Sequence, residues 1–335
     1  MKLFDISSDS TCDLYKEYTQ KRDIWFVPLT FNLEKDGKQE EYLDDFSSYG
    51  EYVDFYKKVR AGAIPRTAML NYDAHLQHFL KMAKAGVKDV LHFSISSGLA
   101  RTVTVAKEAA EEVKKEYPDF NLYSVDPLTA TVGQGALVRL AADLRDEGKT
   151  AKEAFEYVTE ARNRVQHCII PNDLFYLKKG GRVSGASALV GTMLNIKPLL
   201  SFDSVGKLVT LQKCKGMKKA FSEVIASLEK APLAKEKKIF VVHTDNEAGA
   251  TELANLIEQK IGVRPEVLIM GPTIGAHVGP VLGCAADFGH GGLGGYLCLQ
   301  PRGSQCAISS LQGRAVPCYV RYAHRYRLHR HHFAA

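Results

Sequence analysis

The chain has 335 residues, 45% of them hydrophobic and 24% charged, which is normal for a soluble globular protein with room for one large α/β domain or two ordinary ones. Its net charge of +6 is local: residues 281–335 hold six arginines, no lysine and one acid, Asp287, whereas residues 1–280 hold 38 basic and 37 acidic side chains, so the body has no basic stripe suited to nucleic acid. No apolar leader follows Met1 and no run of about 18 apolar residues occurs, which argues against a signal peptide and a membrane span and makes the cytoplasm the expected location.

Residues 3–7 read as a short buried strand, and Ser8-Asp9-Ser10-Thr11 as a polar turn. Ser10 with Asp13 three residues later has the spacing of a capping box, predicting a helix to about Gln20. Residues 24–33 read as one strand, and residues 46–60 and 72–85 have helical periodicity. A clear unit follows: a strand at 89–95, the turn Ser96-Ser97-Gly98, a helix at 102–116, a strand at 121–125 and a helix at 133–146. This alternation predicts a parallel sheet with helices on both faces, with ligands bound beyond the carboxyl ends of its strands. The turns at 7–11, 96–98 and 126–131 all fall on that edge.

From residue 151 the texture changes. A helix to about 165 leads to Gly180-Gly181 and an apolar helix near 187–195. Strands at 199–203 and 207–213 are joined at Ser204-Val205-Gly206, a hairpin signal. A helix at 217–230, a strand at 238–244, a helix at 247–259 and a strand near 266–270 complete a second unit with a mixed sheet. The reading is therefore an α/β protein of two unlike domains, residues 1–150 and 151–280, followed by a tail at 281–335. That tail is set apart by clustered Arg and His and by four of the seven cysteines, and a non-native or frame-shifted extension would account for it. The scattered cysteines form no Cys-x-x-Cys pair and read as inert thiols.

Four constellations can carry chemistry. Ser96-Ser97-Gly98-Leu99 lies at a strand-to-helix turn, where free backbone N–H groups and serine hydroxyls can face a carboxylate or phosphate; the same residues serve equally as an ordinary cap. Thr67, in Pro65-Arg66-Thr67-Ala68, can donate to the same anion or cap a helix. Arg182, in Gly180-Gly181-Arg182-Val183-Ser184-Gly185, offers a planar fork to a carboxylate or phosphate, but the P-loop spacing is absent. His277, among small residues in Gly275-Ala276-His277-Val278-Gly279-Pro280, reads as presented by a tight loop, whereas His243 reads as packed or capping. A hydrolase built from Ser97, His277 and Asp9 or Asp126 is the alternative, weakened by the lack of a Gly-x-Ser-x-Gly elbow. No metal site or cofactor is expected, since neither zinc spacing nor a dinucleotide fingerprint occurs.

The order of these motifs is more specific than any one of them. Asp9-Ser10-Thr11-x-Asp13-Leu14, Pro65-x-Thr67, Ser96-Ser97-Gly98-Leu99, Val125-Asp126, Gly133-Gln134-Gly135, Leu177-Lys178-Lys179-Gly180-Gly181-Arg182, His243-Thr244-Asp245-Asn246 and His277-Val278-Gly279-Pro280 follow one another as in the DegV family, which residues 1–280 closely resemble. The resemblance implies two unlike α/β domains with a long-chain fatty acid between them. It implies that Thr67 and Ser97, with Ser96 and His277 beside them, hold the carboxylate, and that Arg182 lies near the head group or the docking surface of a partner. It further implies a carrier without catalysis of its own: the acyl-binding subunit of a bacterial fatty acid kinase, whose separate ATP-binding subunit phosphorylates the carboxylate for phospholipid synthesis. The apolar helix near 187–195, through Ala188, Leu189, Val190, Met193 and Leu194, is expected to cover the acyl chain or simply to pack in the core. Two departures sit beside the implied carboxylate site. Ala68 stands where a second hydroxyl is usual, and Ala100-Arg101 replace a serine and a glycine. After Pro280 the family's glycine and short final strand are not recognisable, so an edge strand is expected to be missing.

Overall fold

The computed structural model describes residues 2–171, 177, 195–230, 237–279 and 281–288, the last eight by their backbone. In chain order the elements are β1 (Asp5–Asp9), α1 (Lys16–Lys21), β2 (Ile24–Val27), β3 (Thr30–Lys35), β4 (Lys38–Leu43), α2 (Tyr49–Arg60), β5 (Ile64–Thr67), α3 (Tyr72–Lys84), β6 (Asp89–Phe93), α4 (Thr102–Glu116), β7 (Asn121–Val125), α5 (Val132–Asp146), α6 (Ala151–Ala161), β8 (Gln166–Pro171), β9 (Ile196–Phe202), β10 (Leu208–Lys215), α7 (Gly216–Lys230), β11 (Lys237–His243), α8 (Glu247–Ile261), β12 (Glu266–Ile269), α9 (Pro272–Val278) and β13 (Val281–Phe288).

The expected parallel sheet is present, in the order β2-β1-β6-β7. Alternate residues of β6 face opposite ways, as strand geometry requires: Leu91 and Phe93 pack with Leu137 and Ala154 of α5 and α6, while Val90 packs with Phe79 and Ala106 of α3 and α4. The α3 face also buries His78 and His92, with Ser7 Oγ 2.7 Å from His78 Nε2 and 2.9 Å from His92 Nδ1. Burial holds both imidazoles below their usual range, so they are neutral at pH 7.

The mixed sheet is also present, in the order β10-β9-β8-β13-β11-β12. Strand β13 lies in its middle, antiparallel to β8 on one side and β11 on the other. This corrects the expectation that the fold ends at residue 280 and lacks a strand there. Residues 281–288 alternate too weakly to announce themselves, because a strand paired on both sides needs backbone hydrogen bonds more than a polar–apolar pattern. A third, antiparallel sheet, β4-β3-β5, was not anticipated. It arises where residues 24–33 split at Pro28, β2 joining the parallel sheet and β3 leaving it, since proline has no N–H to continue a ladder.

Helix α5 lies between the two larger sheets. Leu137, Val138 and Ala141 pack towards the parallel sheet, whereas Val132 and Ala136 pack with Leu200 and Leu208 of the mixed one. A helix with apolar residues on two faces belongs in such a position, and the charged residues of its second half, Arg139, Asp143 and Asp146, form ion pairs. The buried cysteines Cys12 and Cys168 fit the inert reading, as burial pushes their thiols up to about 12 and about 11.

Buried carboxylates tie these layers together. The predicted capping box at Ser10 is replaced by a different cap: Asp9 accepts from Thr11 N at 3.1 Å and caps a single 3₁₀ turn, and Asp13 at φ +50° ends it, so the helix begins only at Lys16. Asp9 also accepts from Ile95 N beyond β6 (3.0 Å) and from Gln134 Nε2 on α5 (2.9 Å). Asp13 Oδ1 accepts from Gly271 N (2.9 Å) and Asp44 Oδ2 from Thr273 N (3.3 Å), so two buried acids hold the start of α9. Burial, together with the charge of its neighbour, raises Asp13 well above the carboxylate range, and burial raises Asp44 to about 6.

A carboxyl whose folded pKa is raised stabilises the fold most below its unfolded pKa and loses that contribution as pH rises through the folded value. Between pH 4 and pH 7, the stability of Asp44→Asn relative to the unmodified protein is therefore expected to improve, by on the order of 3 kcal/mol for a shift from 3.8 to about 6. Urea denaturation of both proteins across this range measures it; a gap that does not change with pH would contradict a buried, titrating Asp44.

Candidate functional site

The three turns expected at the carboxyl edge of the parallel sheet meet there. Ser96 N donates to Thr129 O at 3.0 Å, and Thr131 N donates to Thr11 O at 2.7 Å. Asp126 Oδ1 accepts from Ser97 N (3.2 Å) and Leu128 N (3.1 Å), binding the turn after β7 to the one after β6.

Thr67 and His277, 210 residues apart, come into direct contact: Thr67 Oγ1 lies 2.6 Å from His277 Nε2, and both are half-buried. Thr67 is the last residue of β5, and His277 sits in the last turn of α9. The tight loop expected around His277 is thus a helix. Its small residues are explained by packing: Gly275 lies against the Tyr56 ring, and Tyr56 Oη donates to Met270 O at 2.8 Å. The far end of α9 is held by Thr244 Oγ1, which donates to Gly279 O at 2.7 Å. His243 has the packed role expected of it, buried with Nδ1 accepting from Asn246 N at 3.2 Å. Burial lowers its pKa.

The two serines of the anion-friendly turn part company. Ser97 is exposed. Ser96 is fully buried; its hydroxyl donates to Gly206 O at 2.8 Å and accepts from Gly98 N at 3.1 Å. That geometry gives Ser96 a task other than holding an anion: its single proton closes the tip of the β9–β10 hairpin onto the parallel sheet. Gly206 is required there, because its φ is +72° and any side chain would strike Ser96 Oγ. Arg182, and the helix near 187–195 expected to cover an acyl chain, lie outside the described residues.

Beside this region is an apolar cavity whose wall comes from elements far apart in the chain: Leu99 after β6, Leu200 and Leu208 of the hairpin, Val242 of β11, and Ile274 and Val278 of α9. Of these, only Leu99 and Val278 stand in the motifs of the sequence, as neighbours of the serine turn and of His277. Each looks like ordinary core, and the signal that distinguishes them is their common neighbourhood in space. The acids of the alternative hydrolase are engaged elsewhere. Asp9 is buried among Thr11, Gln134 and Ile95, and Asp126 accepts backbone N–H groups. No helix among the described residues is long and apolar enough to cross a membrane.

Comparison with known proteins agrees with this architecture. The DegV family model matches residues 4–287, which extends past Pro280 through the unexpected central strand. A DegV domain-containing protein of Clostridium perfringens is 35% identical over 282 residues, 83% of this chain and 95% of that protein. A fatty acid-binding protein of Thermotoga maritima is 33% identical over 277 residues, 81% of this chain and 93% of its own. The crystal structure of a DegV lipid binding protein from the same organism superposes with a TM-score of 0.74 at 31% identity, covering 86% of this chain and 98% of that one. With a family model spanning both larger sheets and a relative 35% identical over most of both chains, the chain belongs to the DegV family.

Proposed function

We propose that this protein binds a long-chain fatty acid, with the acyl chain in the apolar cavity and the carboxylate at Thr67, Ser97 and His277, and presents that carboxylate to a separate ATP-binding kinase subunit for conversion to an acyl phosphate. The observation that carries the reading is the double face of α9. Ile274 and Val278 line the cavity while His277, on the same two turns, meets Thr67. An apolar cavity with the Thr67–His277 pair carried by the same short helix suits a ligand that is apolar along its length and anionic at one end. Each buried methylene contributes about 0.8 kcal/mol, so a long chain supplies the affinity and the polar end supplies orientation. The names of the Thermotoga maritima relatives, one a fatty acid-binding protein and one a DegV lipid binding protein, support the ligand class. The chain is read as a carrier without independent catalysis, and Arg182 as a residue of the head-group or kinase-docking region.

Protein purified from a bacterial host is expected to yield a fatty acid on organic extraction, identified by mass spectrometry, and the stripped protein to gain thermal stability with palmitate or oleate. A preparation that is empty and shows no gain with either acid would sink the proposal. On this reading Thr67→Ala removes a hydroxyl that donates to the ligand carboxylate, a bond type worth about 1.5–3 kcal/mol, so binding should weaken roughly ten- to hundredfold. Isothermal titration with oleate checks this, and an unchanged Kd would remove Thr67 from the site. With an ATP-binding kinase subunit and labelled ATP, acyl phosphate should form only when both proteins are present.

A further inference from the structure

The cavity wall is apolar except at two places. Among the described residues lining it, Thr131 and His167 alone carry polar side chains. They come from different elements: Thr131 precedes α5, and His167 lies in β8 of the mixed sheet. We propose that Thr131 and His167 form a polar subsite inside the acyl slot that receives a hydroxyl group carried partway along a fatty acid chain. This rests on the fatty-acid reading above and adds a substrate class to it.

The placement of His167 is specific. Its ring is buried, packs edge-on against Phe202 at 4.9 Å between centroids, and lies against Gly133, where any side chain would strike it. Nε2 is engaged by Thr129 Oγ1 at 2.7 Å, so the ring's remaining polar atom is Nδ1. Thr129 Oγ1 has one proton and two acceptors in reach, Ala130 O at 3.2 Å and His167 Nε2. When it donates to Ala130, His167 donates through Nε2 and Nδ1 is an acceptor; when it donates to Nε2, Nδ1 is a donor. An alcohol, which both donates and accepts, satisfies either state. A second carboxylate does not fit, because burial lowers the His167 pKa to about 4 and leaves the ring neutral at pH 7. A polar ring in an apolar cavity is costly unless it is paired, and a ligand hydroxyl pairs it.

Thr131 adds an independent observation. Its backbone sits at φ +58°, ψ −141°, in territory that favours glycine, and is pinned there by the bond from its N–H to Thr11 O at 2.7 Å. A threonine at such a position carries strain that a glycine would not. That strained threonine is one of the two residues with polar side chains among those lining the cavity.

The test uses the full chain stripped of lipid, titrated with stearic acid and with monohydroxystearic acids bearing the hydroxyl at successive positions along the chain. One positional isomer is expected to bind about tenfold more tightly than stearate, the ratio expected when a hydrogen bond worth about 1.4 kcal/mol is made by one ligand and not the other. His167→Leu should bring that ratio close to one. Thr131→Gly relieves the backbone and so keeps the fold secure; it should reduce the ratio severalfold, which holds the proposal to account even if His167→Leu fails to fold. If stearate binds but no hydroxylated isomer binds more tightly, or if the preference is unchanged in the folded variants, the subsite is rejected while the fatty-acid reading stands. If neither stearate nor any isomer binds, both are rejected.

Discussion

The carboxylate of Asp9 is the point on which the edge of the parallel sheet depends. It has no exposure to solvent, and its oxygens accept from the turn that follows its own strand, from the backbone beyond β6 and from the side chain of Gln134 on α5. Burial raises its pKa, and those donors pull it back by stabilising the charged form. The energetic logic is that of any buried polar group: the cost of desolvation is offset only while every partner is in place, so one side chain makes three segments cooperate. Those segments adjoin Ser96–Ser97 and the turn at 126–131, which Asp126 and the backbone bonds of Ser96 and Thr131 tie together in turn.

A second set of buried acids does the same for the other side. Asp13 and Asp44 converge on the start of α9, and Thr244 holds its end. The helix is only seven residues long and would not be stable alone, since short isolated helices are marginal in water. Its tertiary anchors are what allow it to place Ile274 and Val278 on the cavity and His277 against Thr67. The β9–β10 hairpin is anchored in turn by Ser96, which explains why a serine on an anion-friendly turn is engaged by a carbonyl instead. The cavity is therefore the space left where three separately anchored pieces meet: the carboxyl edge of the parallel sheet, the hairpin tip and α9. The first residue of α5, Val132, also lines it, and the two polar residues on the wall sit just before α5 and on β8.

Most of the regular elements were legible from local pattern. The helices at Thr102–Glu116 and Val132–Asp146 and the strand Asn121–Val125 are where periodicity puts them, because 3.6-residue and 2-residue repeats are properties of a short window. The misses have physical causes. The Ser10 cap lost to Asp9, whose burial could not be known from its neighbours in sequence. The strand at Val281–Phe288 pairs on both sides and needs no amphipathic rhythm. The helix bearing His277 is too short and too rich in small residues to show a period.

By itself the sequence determined the α/β class, the alternating strands and helices from residue 89 to residue 146, and the turn that brings serines to the carboxyl edge of the sheet; these are encoded within windows of a dozen residues. The order of its motifs also carried the family resemblance. The tertiary structure decided which of those residues meet. Thr67 with His277, Ser96 with Gly206 and Thr129 with His167 are contacts across 210, 110 and 38 residues, and no local pattern marks either partner for the other. The division of labour between Ser96 and Ser97, adjacent and chemically identical, was likewise settled only by burial: one hydroxyl faces a backbone carbonyl across a closed interface, and the other remains at the surface.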